Sequence, residues 1–298
     1  MVEKRHKQIA EEVAARDREH NVKMAKRHLQ RAERTERDWP EASARHREKW
    51  RAAVERRPRS GRAAANGAMR CLRALFNFAI DKDESLTNPI KLKRQWFKVD
   101  PRGRLVTADD LPAFHAAVMG LENKIASSYL RFLLFSGMRR REAAKLQWAG
   151  VDFKGGVIRV PAPITKPGRK LDLPMTDVVR DVLIGLRGAS PTFVFPANSA
   201  SGHIEEPKSA LAEVAAACGV RVSVHDLRRT YSTFAEKVVS FIELKCLLNH
   251  ATFRDVTGNY VAPEQLSEAA QRAADRMKEL CGLAEPGDNV VELRKGKL

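Results

Sequence analysis

Apolar positions are sparse at the start of the chain and become dense and periodic further along. Residues 1 to about 57 are rich in Lys, Arg, Glu and Ala, and Val2, Ile9, Val13, Val22 and Leu29 recur there at rough helical spacing. That pattern predicts long, mostly solvated helices. Trp39-Pro40 should interrupt them, because proline disfavours helix at the residue before it. After the basic turn Arg57-Pro-Arg-Ser-Gly-Arg62, residues Met69, Leu72, Leu75, Phe76 and Ala79 fall on one helical face. This helix should stop at Asp81-Lys-Asp-Glu-Ser85, ahead of Asn88-Pro89. Residues 91–104 then read as a basic interdomain linker.

From residue 107 the pattern alternates between helix and a short stretch of strand. Thr107-Ala-Asp-Asp110 offers an N-cap with acids in the first turn, which opens a helix through Val118. A helix through Leu130–Phe135 should break at Ser136-Gly137, and another should start near Arg139 and end before Trp148. Gly155-Gly156 opens a strand containing Val157, Ile158 and Val160. Ile164-Thr-Lys166-Pro-Gly168 turns it back into Leu171-Asp-Leu173-Pro174, a β-hairpin with Lys166 at its tip. Helices are predicted over 177–186, 208–218, 226–238, 241–248 and 264–281. In the last, Leu266, Ala270, Ala273, Met277 and Leu280 form one apolar stripe, suited either to its own domain or to a neighbouring protomer. The fold class is mainly α with a small antiparallel β-sheet or hairpin. The expected division is a helical, basic domain over 1–98, a linker over 99–106 and a second domain over 107–298.

Composition narrows the partner. The 298 residues are enough for two domains with buried cores. Lys and Arg number 54 against 37 Asp and Glu, a formal net charge of +17, with the first third the more cationic part. Nucleic acid is the first polyanion such a charge suggests; a solvated basic face or acidic lipid is the alternative. Cys71, Cys218, Cys246 and Cys281 lie far apart in sequence, which argues against a disulfide framework or a zinc module. No apolar run of membrane-spanning length and no secretory signal stands out, so an intracellular protein without a membrane partner is expected.

The candidate chemistry lies in scattered polar residues. Breaking a phosphodiester with a tyrosine needs guanidinium forks for the phosphate oxygens and a proton donor for the leaving 5′ oxygen. It also needs help for a phenol whose ordinary pKa is about 10. A covalent 3′-phosphotyrosine would conserve the bond energy, so rejoining would need neither ATP nor metal. Arg139, with Glu142 one turn on, follows the Ser136-Gly137 break; alone it reads equally as part of the solvated run Arg139-Arg-Arg141. Lys166 alone is a surface lysine. His225 and Arg228, three apart near a helix start, alone read as structural. His250 after Leu247-Leu248 alone reads as a buried histidine, and Tyr260 as a packing residue near a helix end.

Taken together and in order, these segments resemble the phage integrase, or tyrosine recombinase, family. Ser136-Gly-Met-Arg139-Arg-Arg-Glu142 with Leu146-Gln-Trp-Ala-Gly-Val-Asp152 looks like its first box, and Ile164-Thr-Lys166 like its hairpin lysine. His225-Asp-Leu-Arg228-Arg-Thr230 is similar to its second box. Leu248-Asn-His250 with Thr257-Gly-Asn-Tyr260-Val resembles the box of the nucleophile. The likeness covers roughly residues 104–281. It implies that Arg139 and Arg228 hold the scissile phosphate, Lys166 protonates the leaving oxygen and His225 assists proton transfer. His250 would hydrogen-bond the phosphate, Tyr260 would attack, and Glu142 would support the site. It further implies a two-domain clamp on double-stranded DNA and a homo-tetramer on two DNA sites, with accessory directionality proteins, no cofactor and no metal. The setting would be cytoplasmic and nucleoid-associated, in a bacterial or phage-encoded protein.

Two departures stand out: Asn249 occupies a position where the family commonly has glycine, and ten positions rather than nine separate His250 from Tyr260. Asn66 to Pro89 resembles the end of the family's core-binding domain. Residues 1–60 show no recognisable motif and offer no obvious room for the separate arm-site-binding domain that some members of the family carry ahead of the core-binding domain. A type IB topoisomerase, acting as a monomer with the same chemistry, is one rival; a non-catalytic DNA-binding relic is another. No GxxxxGK[ST] loop suggests an ATPase, and no carboxylate cluster suggests two-metal chemistry.

Overall fold

The computed structural model describes residues 2–56, 60–92, 95–99, 104–165, 168, 170–249 and 261–283. The chain divides into two compact units, Met1–Arg102 and Gly103–Leu298.

The first unit is built from three helices: α1 (Val2–Thr35), α2 (Pro40–Glu55) and α3 (Arg62–Ile80). Pro40 opens α2 at its first position, where the missing N–H leaves no hydrogen bond unmade. Helix α1 is largely solvated, as its sparse apolar positions predict. Its buried residues are Ala10, Ala25 and Ala32 with His6 and Asn21. Val2 and Ile9 pack against the unit's small core, and Val22 is 55% exposed. Small side chains let neighbouring backbones approach closely: Ser43 of α2 donates to the Ala32 carbonyl at 3.0 Å. Gly61, at φ +70°, lies so near α1 that a Cβ there would stand 2.0 Å from the Ala10 oxygen. In α3 the buried positions are Ala65, Asn66 and Met69. Of the predicted face, Met69 is buried and Phe76 packs against it, while Leu72 and Leu75 are 39% and 59% exposed.

The stretch read as a linker from residue 91 begins as part of this packing. Ile90 and Leu92 join Met69 in a small core. His6 Nε2 donates to Asn66 Oδ1 at 2.9 Å, and the same oxygen accepts from the Phe97 N–H at 3.1 Å. Asn66 Nδ2 returns a bond to the Phe97 carbonyl at 2.8 Å. One buried amide thus fixes the chain as far as Phe97.

The second unit is organised around α5 (Lys124–Ser136), whose Tyr129, Leu130, Phe132, Leu133, Leu134 and Phe135 are all buried. Asn123 caps it by accepting from the Ala126 N–H at 3.0 Å. Around it pack α4 (Leu111–Met119), α7 (Asp177–Ile184), α9 (Val224–Ala235) and α11 (Pro263–Leu280), with α6 (Arg140–Ala144), α8 (Lys208–Cys218) and α10 (Phe241–Leu247) completing the helices. A three-stranded antiparallel sheet, β1 (Val151–Asp152), β2 (Val157–Val160) and β3 (Leu171–Pro174), runs in the order β1-β2-β3. Pairing of Val157 with Pro174 and Val160 with Leu171 makes β2 and β3 the expected hairpin, and its tip residue Lys166 lies outside the described residues.

The elements therefore agree with the pattern of apolar positions, with three adjustments. The helix after Arg139 is only five residues long and gives way to a 3-10 turn at Trp148–Gly150. Helix α9 starts two residues earlier than predicted because Ser223 and Asp226 cap it. The stripe on α11 is used within its own unit: Ala270, Ala273 and Met277 are buried in the core, with Leu266 and Leu280 packed at its margin. No helix among the described residues is long and apolar enough to cross a membrane.

Candidate active site

The site is assembled where three chain breaks meet. Helix α5 ends at Gly137, whose φ of +59° lets its N–H reach back to the Leu133 carbonyl at 3.1 Å. This left-handed cap is open to glycine, which lacks the Cβ that would clash. Here the restriction is doubled, because a Cβ would fall 2.3 Å from Cδ1 of buried Tyr231. The turn places Arg139 at the head of α6, and Tyr129 Oη donates to the Arg140 carbonyl at 2.8 Å, pinning α6 to α5.

Arg139 extends Nη1 to Glu142 Oε1 at 3.2 Å and Nη2 to the Asn249 carbonyl at 2.9 Å. Glu142 is 1% exposed and lies one turn along the helix, where an i, i+3 pair can meet. Arg228 comes from near the start of α9, one turn after His225. Asp226 accepts from both the N–H and the hydroxyl of Ser223 at 2.8 Å, fixing the start of the helix. Thr230 Oγ1 accepts from the Val106 N–H at 3.0 Å and donates to the Asp226 carbonyl at 2.9 Å, locking α9 against the start of the unit.

Arg228 is 8% exposed, and it donates to the Gly137 carbonyl at 2.7 Å and the Leu248 carbonyl at 2.6 Å. Burial pushes its pKa down to about 10, and the nearby positive charge of Arg139 pushes the same way; Glu142 and Tyr231 oppose. Two guanidiniums are therefore held within electrostatic reach of each other in partly dry surroundings, each turned towards carbonyl oxygens. A group with full negative charge and several acceptor oxygens suits such a pair better than neutral carbonyls do. His225, one turn before Arg228, is exposed.

The corner Leu248-Asn249 supplies two of those carbonyls. Among the described residues Asn249 is the one non-glycine residue with positive φ, at +47°. Asparagine tolerates the left-handed region better than most side chains. The departure from glycine noted in the sequence therefore keeps the backbone shape that glycine would allow.

Of the candidate residues, Arg139, Glu142 and Arg228 are brought together, with His225 beside Arg228. Lys166, His250 and Tyr260 lie outside the described residues. Sequence reasoning overlooked Asp226, Thr230, Tyr231 and the carbonyls of Gly137, Leu248 and Asn249. The Ser223-x-x-Asp226 spacing was a legible capping signal; the carbonyls carry no side-chain signature at all.

Comparison with known proteins bears on the family and the fold. The family described as "Phage integrase family" matches residues 104–266. The prophage integrase IntF of Escherichia coli (strain K12) is 38% identical over 143 residues, which is 44% of this chain and 29% of that protein. The chain thus spans under a third of that relative's length. Among solved structures, the Tn1549 transposon integrase in complex with transposon right end DNA aligns with a TM-score of 0.53 at 18% identity, over 67% of this chain and 76% of that one. A lambda integrase tetramer bound to a Holliday junction aligns with a TM-score of 0.50 at 18% identity, over 65% and 61%. At that identity these two likenesses speak for the fold.

Proposed function

The chain belongs to the phage integrase family, and we propose that it is a site-specific DNA recombinase that attacks a phosphodiester with a tyrosine. The observation that carries the reading is the pairing of Arg139 with buried Arg228, joined by Glu142. In a transferring phosphodiester, negative charge grows on the non-bridging oxygens. Two fixed guanidinium forks stabilise that charge without reorganising, which is the largest contribution available to such a site. The phosphate would bind through guanidinium N–H groups other than those that the Gly137, Leu248 and Asn249 carbonyls hold in place.

The remaining steps are those that the resemblance to the family implies for these positions. Tyr260 attacks the phosphorus and becomes esterified to the 3′ end. Lys166 protonates the departing 5′ oxygen, and His225 and His250 serve proton transfer and phosphate hydrogen bonding. Reversal with a different 5′ hydroxyl rejoins the strand, and needs neither nucleotide hydrolysis nor a metal because the ester bond is conserved. The cationic N-terminal unit holds duplex DNA through its phosphates. Four protomers act on two sites, as in the lambda integrase tetramer on its junction. The outcome is integration or excision of a mobile element.

The test uses the purified protein, EDTA and a nicked duplex bearing a candidate attachment site. A covalent protein–DNA adduct on a denaturing gel is expected, and Tyr260→Phe should abolish it. An adduct that survives in Tyr260→Phe would remove Tyr260 from the role. Absence of any adduct on the element's own junction sequences would overturn the recombinase reading.

A further inference from the structure

A second polar network lies behind the arginine pair and on helices that carry none of the candidate residues. Glu243, in the first turn of α10, is 4% exposed although it is a carboxylate. Its Oε2 accepts from the Ser240 N–H at 2.7 Å, closing the cap of α10, and the Ser240 hydroxyl accepts from the Glu243 N–H at 3.3 Å. Its Oε1 turns the other way and meets two residues of α11, Gln265 Nε2 and Arg272 Nη2, each at 3.3 Å. Arg272 also donates through Nε to the Val238 carbonyl, just beyond α9, at 3.2 Å. One carboxylate therefore ties the start of α10 to α11, and Arg272 extends the tie to the turn after α9.

What this clasp holds is informative. Helix α10 has only seven residues, and its far end delivers the Leu248 and Asn249 carbonyls to Arg228 and Arg139. Leu244, Leu247 and Leu248 bury its inner face, but apolar contacts do not fix a short helix against sliding or turning about its axis. Directional hydrogen bonds to a buried charge do. In sequence, Glu243 precedes His250 and Gln265 follows Tyr260, so the clasp also joins the two flanks of the segment that holds both.

We infer that Glu243 is a positioning residue for the phosphate-binding arginines, acting with Arg272 and Gln265 through the Leu248–Asn249 corner; this rests on the recombinase reading above. Without the carboxylate, α10 gains freedom at its start, and the corner at its end no longer presents its carbonyls at one orientation. Arg139 and Arg228 then sample several directions before meeting the phosphate. DNA affinity, set by many phosphate contacts, changes little, while the chemical step slows.

Two measurements on the full chain test this with Glu243→Gln and, in case that variant fails to fold, Gln265→Ala, which opens the clasp from α11 alone. The first compares noncovalent DNA affinity with the single-turnover rate of adduct formation at saturating DNA. Misplacement of reacting groups by about 1 Å costs on the order of 100-fold, so the rate should fall by about 10- to 100-fold while affinity moves less than about threefold. The second follows the side-chain resonances of Arg139 and Arg228 by NMR in ¹⁵N-arginine protein, which needs no activity. Both should shift in the variants and stay fixed in Glu279→Gln, which breaks only the exposed Arg276–Glu279 pair. A wild-type adduct rate in a variant overturns the inference. So does a rate loss fully accounted for by the unfolded fraction at the assay temperature. If the wild-type protein forms no adduct at all, the recombinase reading fails separately, and unshifted arginine resonances then sink the clasp as well.

Discussion

Replacing Gly137 with alanine should cost far more than replacing any other left-handed glycine in the second unit. Two effects add at this position. An alanine at φ +59° pays the left-handed penalty, roughly 1–2 kcal/mol, reduced by about 0.4–1 kcal/mol because alanine also restricts the unfolded chain. The new methyl would then lie 2.3 Å from Cδ1 and 2.7 Å from Cε1 of Tyr231. That ring is 2% exposed and packed in the core, so it must shift by about 1 Å against close-packed neighbours, an overpacking of roughly 1–3 kcal/mol. The total is about 1–5 kcal/mol, a large share of the roughly 5–15 kcal/mol a domain usually has.

Gly219 is the control. It caps α8 at φ +76° with nothing within 4 Å of where a methyl would sit, so alanine there meets only the backbone penalty, about 1 kcal/mol or less. Urea unfolding of the two variants should separate them by about 1–3 kcal/mol, the part assigned to overpacking. Adding Tyr231→Leu to each should then recover stability in the Gly137→Ala background relative to the wild-type background. A Gly137→Ala protein as stable as Gly219→Ala, or no coupling between residues 137 and 231, would refute the packing argument. The variant should also lower adduct formation, since the Gly137 carbonyl is one of the two that orient Arg228.

Two further outcomes follow from single residues. Burial, with the Arg131 charge as a second cause, pushes His115 down to about 4, so the unfolded chain takes up its proton first, near the ordinary value of about 6.5. Its contribution is thus full above about pH 6.5 and is lost as the pH falls towards 4, by at most about 3 kcal/mol. Urea midpoints between pH 7.5 and 4.5 should fall less steeply in His115→Gln, and an unchanged slope would remove His115 as the cause. At Asn249 the left-handed backbone excludes a β-branched side chain, so Asn249→Val should be less stable than Asn249→Gly by at least about 1–2 kcal/mol. Equal urea midpoints for the two variants would contradict that.

The difference between what could be read from the chain and what could not has a physical basis. In the second unit, helix and strand positions follow apolar periodicity because a large core demands it: α5 repeats apolar residues so densely that only a central helix accommodates them. In the first unit the signal is weaker: Val2 and Ile9 of the apolar row reach the small core but Val22 faces out, and α1 and α2 meet closely where Ser43 bonds the Ala32 carbonyl. The candidate site divides the same way. Arg139, Glu142, His225 and Arg228 are legible only as an ordered set that resembles the family's boxes, because each alone reads as a solvated or structural residue. The groups that aim them are backbone carbonyls at Gly137, Leu248 and Asn249, which any residue carries and no motif marks. Asn249 shows the limit most clearly: read as a letter it departs from glycine, yet read as a torsion angle it keeps glycine's conformation. Chemistry in this chain is therefore written in side chains, and its aim is written in turns. A substitution at Gly137 or Asn249 that leaves every charged group in place can still misdirect both arginines.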